Sequence, residues 1–194
     1  MTTLQYALIS DLHSNTKHTK KVLQHIEQEA PNATILCLGD IYECTIGKKK
    51  AAIIRNAKLK DAAIISDKFE QLIQFPSIIG NQEERIALVT GKECFLQYPE
   101  KMEIEHATLM HGHQFNWDEA FINPTFPKTN TQLLFFGHSH RSAIYINGER
   151  QLVPFHVPLS LHDQPYQINV GSVVDNKEWC LYDSTAKTIQ FMKA

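Results

Sequence analysis

The densest chemistry in this 194-residue chain lies in its ten histidines, four of which form two close pairs, His111-Gly-His113 and His138-Ser-His140. Residues two apart on an extended chain project to the same side, so each pair can present two imidazoles to one crevice. Asp11-Leu-His13 repeats the spacing with a carboxylate, and Gly39-Asp40 and Gly80-Asn81 add a second carboxylate and an amide. Imidazole, carboxylate and amide oxygen together suit borderline divalent ions such as Mn, Fe, Zn or Ni. Cys37, Cys44, Cys94 and Cys180 form no Cys-x-x-Cys pair and read as reduced thiols, so no thiolate joins the set and a structural zinc is disfavoured.

Each of these groups follows an apolar run with the character of a strand: Leu4 to Ile9, Thr34 to Leu38, Ser77 to Ile79, Thr108 to Met110 and Leu133 to Phe136. In open α/β sheets ligands sit beyond the carboxyl ends of the strands, where glycines let the backbone turn sharply. In the first half these runs alternate with helical stretches. One runs through Lys20 to Glu29 and stops before Pro31-Asn32, and apolar residues recur at helical spacing from Lys48 to Phe75. That βαβαβ order predicts parallel strands. The second half holds short strand candidates at Glu105 to Met110, Gln132 to Phe136, Ala143 to Ile146, Gln167 to Val170 and Glu178 to Tyr182. Asn147-Gly148 predicts a hairpin from Ala143-Ile146 to Gln151-Phe155, and Asp183 to Ala186 a second one into Thr188 to Met192, so pairing turns antiparallel towards the carboxyl end. Asn116 to Asn130, with Pro124 and Pro127, reads as a loop or short cap.

Length predicts one domain over residues 1–194, with 45–75 as a possible helical cap over the site. With 43% hydrophobic residues, 21% charged residues and a net charge of -2, the composition is that of a globular protein without the broad basic surface a nucleic-acid polymer needs. The apolar run Tyr6 to Ile9 is too short for a signal peptide, and no run approaches the ~20 residues of a membrane helix. The expectation is a cytoplasmic protein with no membrane partner.

Taken in order, the motifs resemble those of the calcineurin-like metallophosphoesterases: Asp-x-His, Gly-Asp, Gly-Asn-His-Asp/Glu, a later His, and Gly-His-x-His. The Asn169-Val-Gly-Ser-Val173 segment is similar to the Asn-Pro-Gly-Ser-Val stretch of the family's small prokaryotic phosphodiesterase branch, with Val170 in place of proline. The resemblance implies an α/β fold, a four-layer αββα sandwich of two mixed β-sheets flanked by helices. It also implies two divalent metal ions, manganese first, with Fe, Zn or Ni as alternatives. Asp11, His13, Asp40 and His140 would bind one ion and Asp40, Asn81, His111 and His138 the other, with Asp40 bridging. Two ions ~3.5–4 Å apart would lower the pKa of a bridging water and clamp phosphoryl oxygens, which hydrolyses a phosphoester without a covalent nucleophile. The implied substrate is a small phosphoester or a nucleotide.

The sequence departs from the pattern at Gln82, where the family has the His that stabilises the transition state or protonates the leaving oxygen. Gln82 can donate a hydrogen bond to a phosphoryl oxygen but cannot deliver a proton, which points to phosphodiesters or activated esters over alkyl monoesters. His113, outside the seven ligands, can supply that proton. Asn15 can contact phosphate or cap a helix. Lys48, Lys49, Lys50, Arg55, Lys58 and Lys60 can draw in anions or form a solvated helix face. Arg141 pairs with phosphate or with a surface carboxylate. His18, His25, His106, His156 and His162 have no partner at ligand spacing and read as ordinary histidines. The competing readings are a phosphomonoesterase, a nuclease, and a non-catalytic scaffold like the retromer subunit of the same superfamily. Scaffolds usually lose ligands, and all seven are present.

Overall fold

The computed structural model describes residues 4–194, so Met1 to Thr3 lie outside the described residues. β1 (Gln5–Ile9) pairs in parallel with β2 (Thr34–Cys37), Ile9 opposite Cys37, and α1 (Thr16–Glu29) is the crossover between them. Asn15 accepts a hydrogen bond from the His18 backbone N–H at 3.0 Å and starts α1, which buries Thr19, Val22 and Ile26 and turns its lysines to solvent. β14 (Glu178–Asp183) returns from the carboxyl end to pair antiparallel with β1. β15 (Thr188–Lys193) and β12 (Pro158–Ser160) extend the sheet, giving the order β12-β15-β14-β1-β2.

The second sheet has the order β11-β10-β13-β9-β6-β5. Its strands are β5 (Lys101–Ile104), β6 (Ala107–Met110), β9 (Leu133–Phe136), β10 (Ala143–Ile146), β11 (Glu149–Gln151) and β13 (Tyr166–Asn169). Two ribbons complete the strands, β3 (Glu43–Cys44) with β4 (Ala63–Ile64) and β7 (Asn116–Trp117) with β8 (Pro124–Thr125). The remaining helices are α2 (Lys48–Ala51), α3 (Leu59–Ala62), α4 (Asp67–Glu70), α5 (Asn81–Thr90) and α6 (Val173–Asn176).

The central strands of both sheets, such as β1 and β9, are buried on both faces, which is why they read as continuous runs. From β1, Tyr6 and Leu8 enter the core between the sheets while Ala7 and Ile9 face α1. From β9, Leu133 and Phe135 join that central core. Leu134 and Phe136 face a third cluster with Phe115, Trp117 and Phe126, so aromatic side chains from the segment after β6 cover the outer face of the second sheet.

Three local expectations change. Ser77 to Gly80 contributes one parallel bridge, Ser77 to Cys37, because Pro76 has no N–H and the Ile79 N–H turns away to Pro99. The stretch from Lys48 to Phe75 forms three one-turn helices, α2, α3 and α4. Asn56 in the left-handed region (φ 57) and Ser66 capping a fresh turn interrupt the helical pattern. The middle of the second sheet is parallel, β6 and β13 both running with β9. Antiparallel pairing appears at its edges and in the β14–β15 hairpin. Asn147 and Gly148 have φ of 53° and 80°, which makes the expected tight hairpin from β10 to β11. No helix among the described residues is long and apolar enough to cross a membrane.

Trp179 is fully buried between α1 and the first sheet, and its Nε1–H donates to His25 Nδ1 at 3.1 Å. Trp179→Ala is expected to cost about 3–5 kcal/mol, read as a lower denaturant midpoint at unchanged m-value.

Candidate metal centre

The carboxyl ends of β1, β2, β6 and β9 open on one crevice, and the turns leaving them are laced together. Leu12 and His13 donate their N–H groups to Asp40 O at 2.9 and 3.0 Å, and Gly137 N–H donates to His111 O at 3.0 Å. Asp11, His13, Asp40, His138 and His140 all adopt positive φ, from 47° to 66°. This conformation costs a side-chain-bearing residue energy, and Asp and His are among the types that tolerate it best. Gly80 and Gly137 have ordinary φ but answer to close approach. A Cβ on Gly80 would sit 2.2 Å from Asp40 Oδ1, and one on Gly137 2.0 Å from Ser10 Oγ.

The side chains so aimed form two groups, Asp11 with His13 and His140, and Asp40 with His111 and His138, each with its candidate ligand atoms within 4.8 Å of one another. The two carboxylates are built alike. Asp11 Oδ2 accepts the His138 N–H at 2.9 Å and Asp40 Oδ1 accepts the Gln82 N–H at 2.8 Å, which fixes one oxygen of each. The other oxygen faces imidazoles: Asp11 Oδ1 is 3.3 Å from His140 Nε2, and Asp40 Oδ2 is 3.7 Å from His13 Nε2 and 3.4 Å from His111 Nε2. Asp40 therefore touches both groups.

The imidazoles are oriented from behind. His13 Nδ1 is held by Glu43, His111 Nδ1 by Leu38 O at 2.6 Å, and His140 Nδ1 by Asp175 at 2.7 Å. Each bond places the proton on Nδ1 and turns the Nε2 lone pair inward, as outer partners of metal-ligating histidines do. His138 presents Nδ1 instead, 3.2 Å from His111 Nε2.

A cation fits this donor set. Asp11 Oδ1 and His13 Nε2 are buried without a hydrogen-bond partner, a costly state unless an ion completes them. Burial alone would push the Asp11 and Asp40 carboxyls up. For Asp11 the facing His13 and His140 imidazoles, and for Asp40 the charge of His111, hold the carboxyl below the usual range. In return, although burial opposes it, Asp11 and Glu43 raise His13 to about 10, and the Asp40 charge raises His111 to about 9. Two anions are thus balanced by imidazole protons that a divalent ion would replace. Burial and the His111 charge lower His138 to about 3, so it stays neutral with a free lone pair. The Asn81 amide has two settings. In the one that satisfies its neighbours, its nitrogen donates to His138 Nδ1 at 2.8 Å and its oxygen accepts from Arg85 at 3.1 Å.

The other residues singled out in the sequence are placed as follows. Gln82 is buried, and its Oε1 accepts the Cys44 N–H at 3.1 Å. His113 Nε2 lies 3.2 Å from Glu84, and its ring centroid is 5.3 Å from that of His111. The Asn15 oxygen is taken up by the α1 cap. Arg55 Nη1 donates to Ala51 O at 2.9 Å at the end of α2, whose Lys48 to Lys50 are exposed.

Several residues of the site went unread in the sequence. Glu43 and Asp175 orient histidines, and Glu83, fully buried, accepts N–H groups from Asp40, Tyr42 and Gly80 at 3.1, 2.9 and 2.9 Å. Asn169 donates to Gly137 O and Ser139 Oγ, both at 2.9 Å, and clamps the turn that carries His138 and His140. Ser172 caps α6, which brings Asp175 to His140. The Asn-Val-Gly-Ser-Val segment thus buttresses the 137–140 turn, and the Val173 N–H, donating to Ser10 O at 3.0 Å, also ties it to the turn after β1.

The chain belongs to the calcineurin-like phosphoesterase superfamily, whose domain model matches residues 4–179. No curated protein matches the sequence. Among solved structures, a metallophosphoesterase from Sphaerobacter thermophilus is similar at TM-score 0.66 and 18% identity, over 100% of this chain and 89% of that one. Vps29 from Chaetomium thermophilum is similar at TM-score 0.52 and 11% identity, over 93% and 84%. A putative diadenosine tetraphosphatase gives 0.50 and 13%, over 98% and 93%. At such identities the likeness shows the fold and no more.

Burial and the Asp40 charge push the Glu83 carboxyl up to about 7, and both its oxygens accept backbone N–H groups, which favours the carboxylate. Whichever way the amide of Glu83→Gln turns, its nitrogen meets an N–H donor. The substitution is expected to lower unfolding stability by about 1–3 kcal/mol, measured as a shifted denaturant midpoint.

Proposed function

We propose that this chain is a dinuclear metal-dependent phosphodiesterase acting on small phosphodiesters or nucleotide-type esters. The supporting observation is Asp40: with Oδ1 fixed by the Gln82 N–H, its Oδ2 faces His13 of one group and His111 of the other, as a carboxylate shared by two ions must. Asp11, His13, Asp40 and His140 would hold one ion and Asp40, Asn81, His111 and His138 the other, with manganese first for this set of nitrogen and oxygen donors. When bound, two such ions supply Lewis acidity, making a water acidic enough to attack and neutralising charge on the phosphoryl oxygens.

The chain's own contribution is orientation and proton handling. Glu43, Leu38 O and Asp175 keep three Nε2 lone pairs turned inward. Gln82, with its N–H on Asp40 and its Oε1 on Cys44, has Nε2 left to donate to a phosphoryl oxygen. His113, beside the second group and paired with Glu84, is the nearest imidazole for a leaving oxygen, but burial and then the His111 charge lower its pKa, so it offers weak general-acid help near neutral pH. General-acid help is worth ~10² to 10⁴-fold, so esters with good leaving groups depend on it least. Diesters and activated esters follow as the preferred class.

Two measurements test this reading. Chelated protein is expected to lose turnover of bis(p-nitrophenyl) phosphate and regain it with manganese. Free manganese at about a hundred times its Kd should also stabilise the fold by about 2.7 kcal/mol in thermal unfolding, an increment that Asp40→Asn removes. Protein that neither takes up metal nor hydrolyses any ester in a panel of mono- and diesters would mark a scaffold instead. Gln82→His is expected to raise turnover of an alkyl monoester relative to the aryl diester by about 10² or more, and an unchanged ratio would sink the diester preference.

A further inference from the structure

The segment after β6 carries a feature that metal binding does not require. Trp117 and Phe121 stack with ring centroids 4.6 Å apart and planes 25° from parallel. Phe121 meets His138 edge to face at 5.0 Å and Trp117 lies 6.0 Å from the same imidazole. Both rings are half-buried, whereas Phe115, Phe136 and Tyr145 behind them are buried and already fill the cluster on the outer face of the second sheet. Trp117 packs on that cluster against Phe115 and Phe136 while Phe121 lies outside it, so the pair forms a lip beside the Asp40, His111 and His138 group with Phe121 as its outer ring.

The lip is held by construction. Phe121 adopts φ 57, a conformation that bulky side chains avoid. Asp118 fixes it there: its main-chain oxygen accepts the Phe121 N–H at 3.0 Å, and its carboxylate accepts the Ile122 N–H and the Asn123 side-chain amide, both at 2.8 Å. Tyr145 OH donates to Ile122 O at 2.6 Å, and Trp117 Nε1–H donates to Gly112 O at 2.8 Å, which ties the turn to the sheet and to the His111-Gly-His113 turn itself. Among the described residues no Trp, Tyr or Phe ring pairs with His13 or His140, whose rings lie 5.2 Å from each other, whereas Trp117 and Phe121 both meet His138.

We propose that Trp117 and Phe121 form a stacking shelf that selects phosphoesters carrying a flat aromatic group, a nucleobase or an aryl ring, over esters with only aliphatic groups. The inference rests on the hydrolase reading above and names its substrate class. A stack of a base on an aromatic side chain changes affinity roughly 5- to 150-fold and tolerates any flat ring.

The test uses phenylphosphonate and methylphosphonate, whose carbon–phosphorus bonds resist hydrolysis, titrated by calorimetry into manganese-loaded protein. Wild type is expected to bind the phenyl compound about tenfold or more tighter. Phe121→Ala and Phe121→Leu should lose that preference, the second keeping apolar bulk without a ring, and Phe121→Trp should retain it. A phenyl preference that is missing in wild type, or is the same in Phe121→Ala, overturns the shelf. Turnover of bis(p-nitrophenyl) phosphate by the same preparation separates the two ideas. Turnover without a phenyl preference removes the shelf alone, and absence of both turnover and phosphonate binding removes the hydrolase reading with it.

Discussion

Everything in this molecule is arranged around two buried carboxylates. Asp11 and Asp40 lie at 0% and 2% exposure, with the Glu83 carboxylate at 0% beside them. An isolated anion in such surroundings would cost more than the fold can supply, so each needs positive charge or hydrogen-bond donors at short range. Backbone N–H groups satisfy Glu83 and one oxygen each of Asp11 and Asp40. The remaining oxygens face only imidazoles, and imidazoles can balance them only while protonated. A pair of divalent ions would do the same work without protons, and the two His/Asp groups are placed to receive them.

The constraint extends into the backbone. To bring two anions and four imidazoles together, five of these residues adopt left-handed φ, and the glycines before Asn81 and His138 leave no room for a Cβ. Such turns persist only where their surroundings over-determine them. Here the surroundings are the other turns: Asp11 holds the His138 N–H, Asp40 O holds Leu12 and His13, and Asn169 holds Gly137. The turns are thus hydrogen-bonded to one another, and the apolar strands behind them anchor the set.

What could be read in the sequence followed from range. Asp11 with His13 and His138 with His140 are legible as polar motifs after apolar strands, although left-handed turns rather than an extended chain aim them and send His138 and His140 to different groups. β1, β2 and β9 are legible because burial on both faces makes uninterrupted apolar runs. Glu43 and Asp175 are not, since which carboxylate meets an imidazole Nδ1 is decided by how the β3–β4 ribbon and α6 dock. Lys48 to Phe75 misleads because three short turns, each ended by its own cap or left-handed residue, keep the apolar spacing of one helix. β5 has alternating burial and lies at a sheet edge, so its apolar signal is half that of a central strand.

Gln82 joins the two halves of the site. Its main-chain N–H fixes Asp40, and its side-chain oxygen holds the Cys44 N–H of β3. That strand also supplies Glu43, whose carboxylate holds His13 and whose own N–H donates to Ser14 Oγ at 3.0 Å. Through this path the residue beside the second group sets the position of a side chain in the first. An imidazole at position 82 could accept from Cys44 through one nitrogen only in its neutral form, and would then have its other N–H facing the crevice. The glutamine therefore serves the frame with its oxygen and its main-chain N–H, and the fold keeps the geometry of both groups with an amide rather than an imidazole at this position.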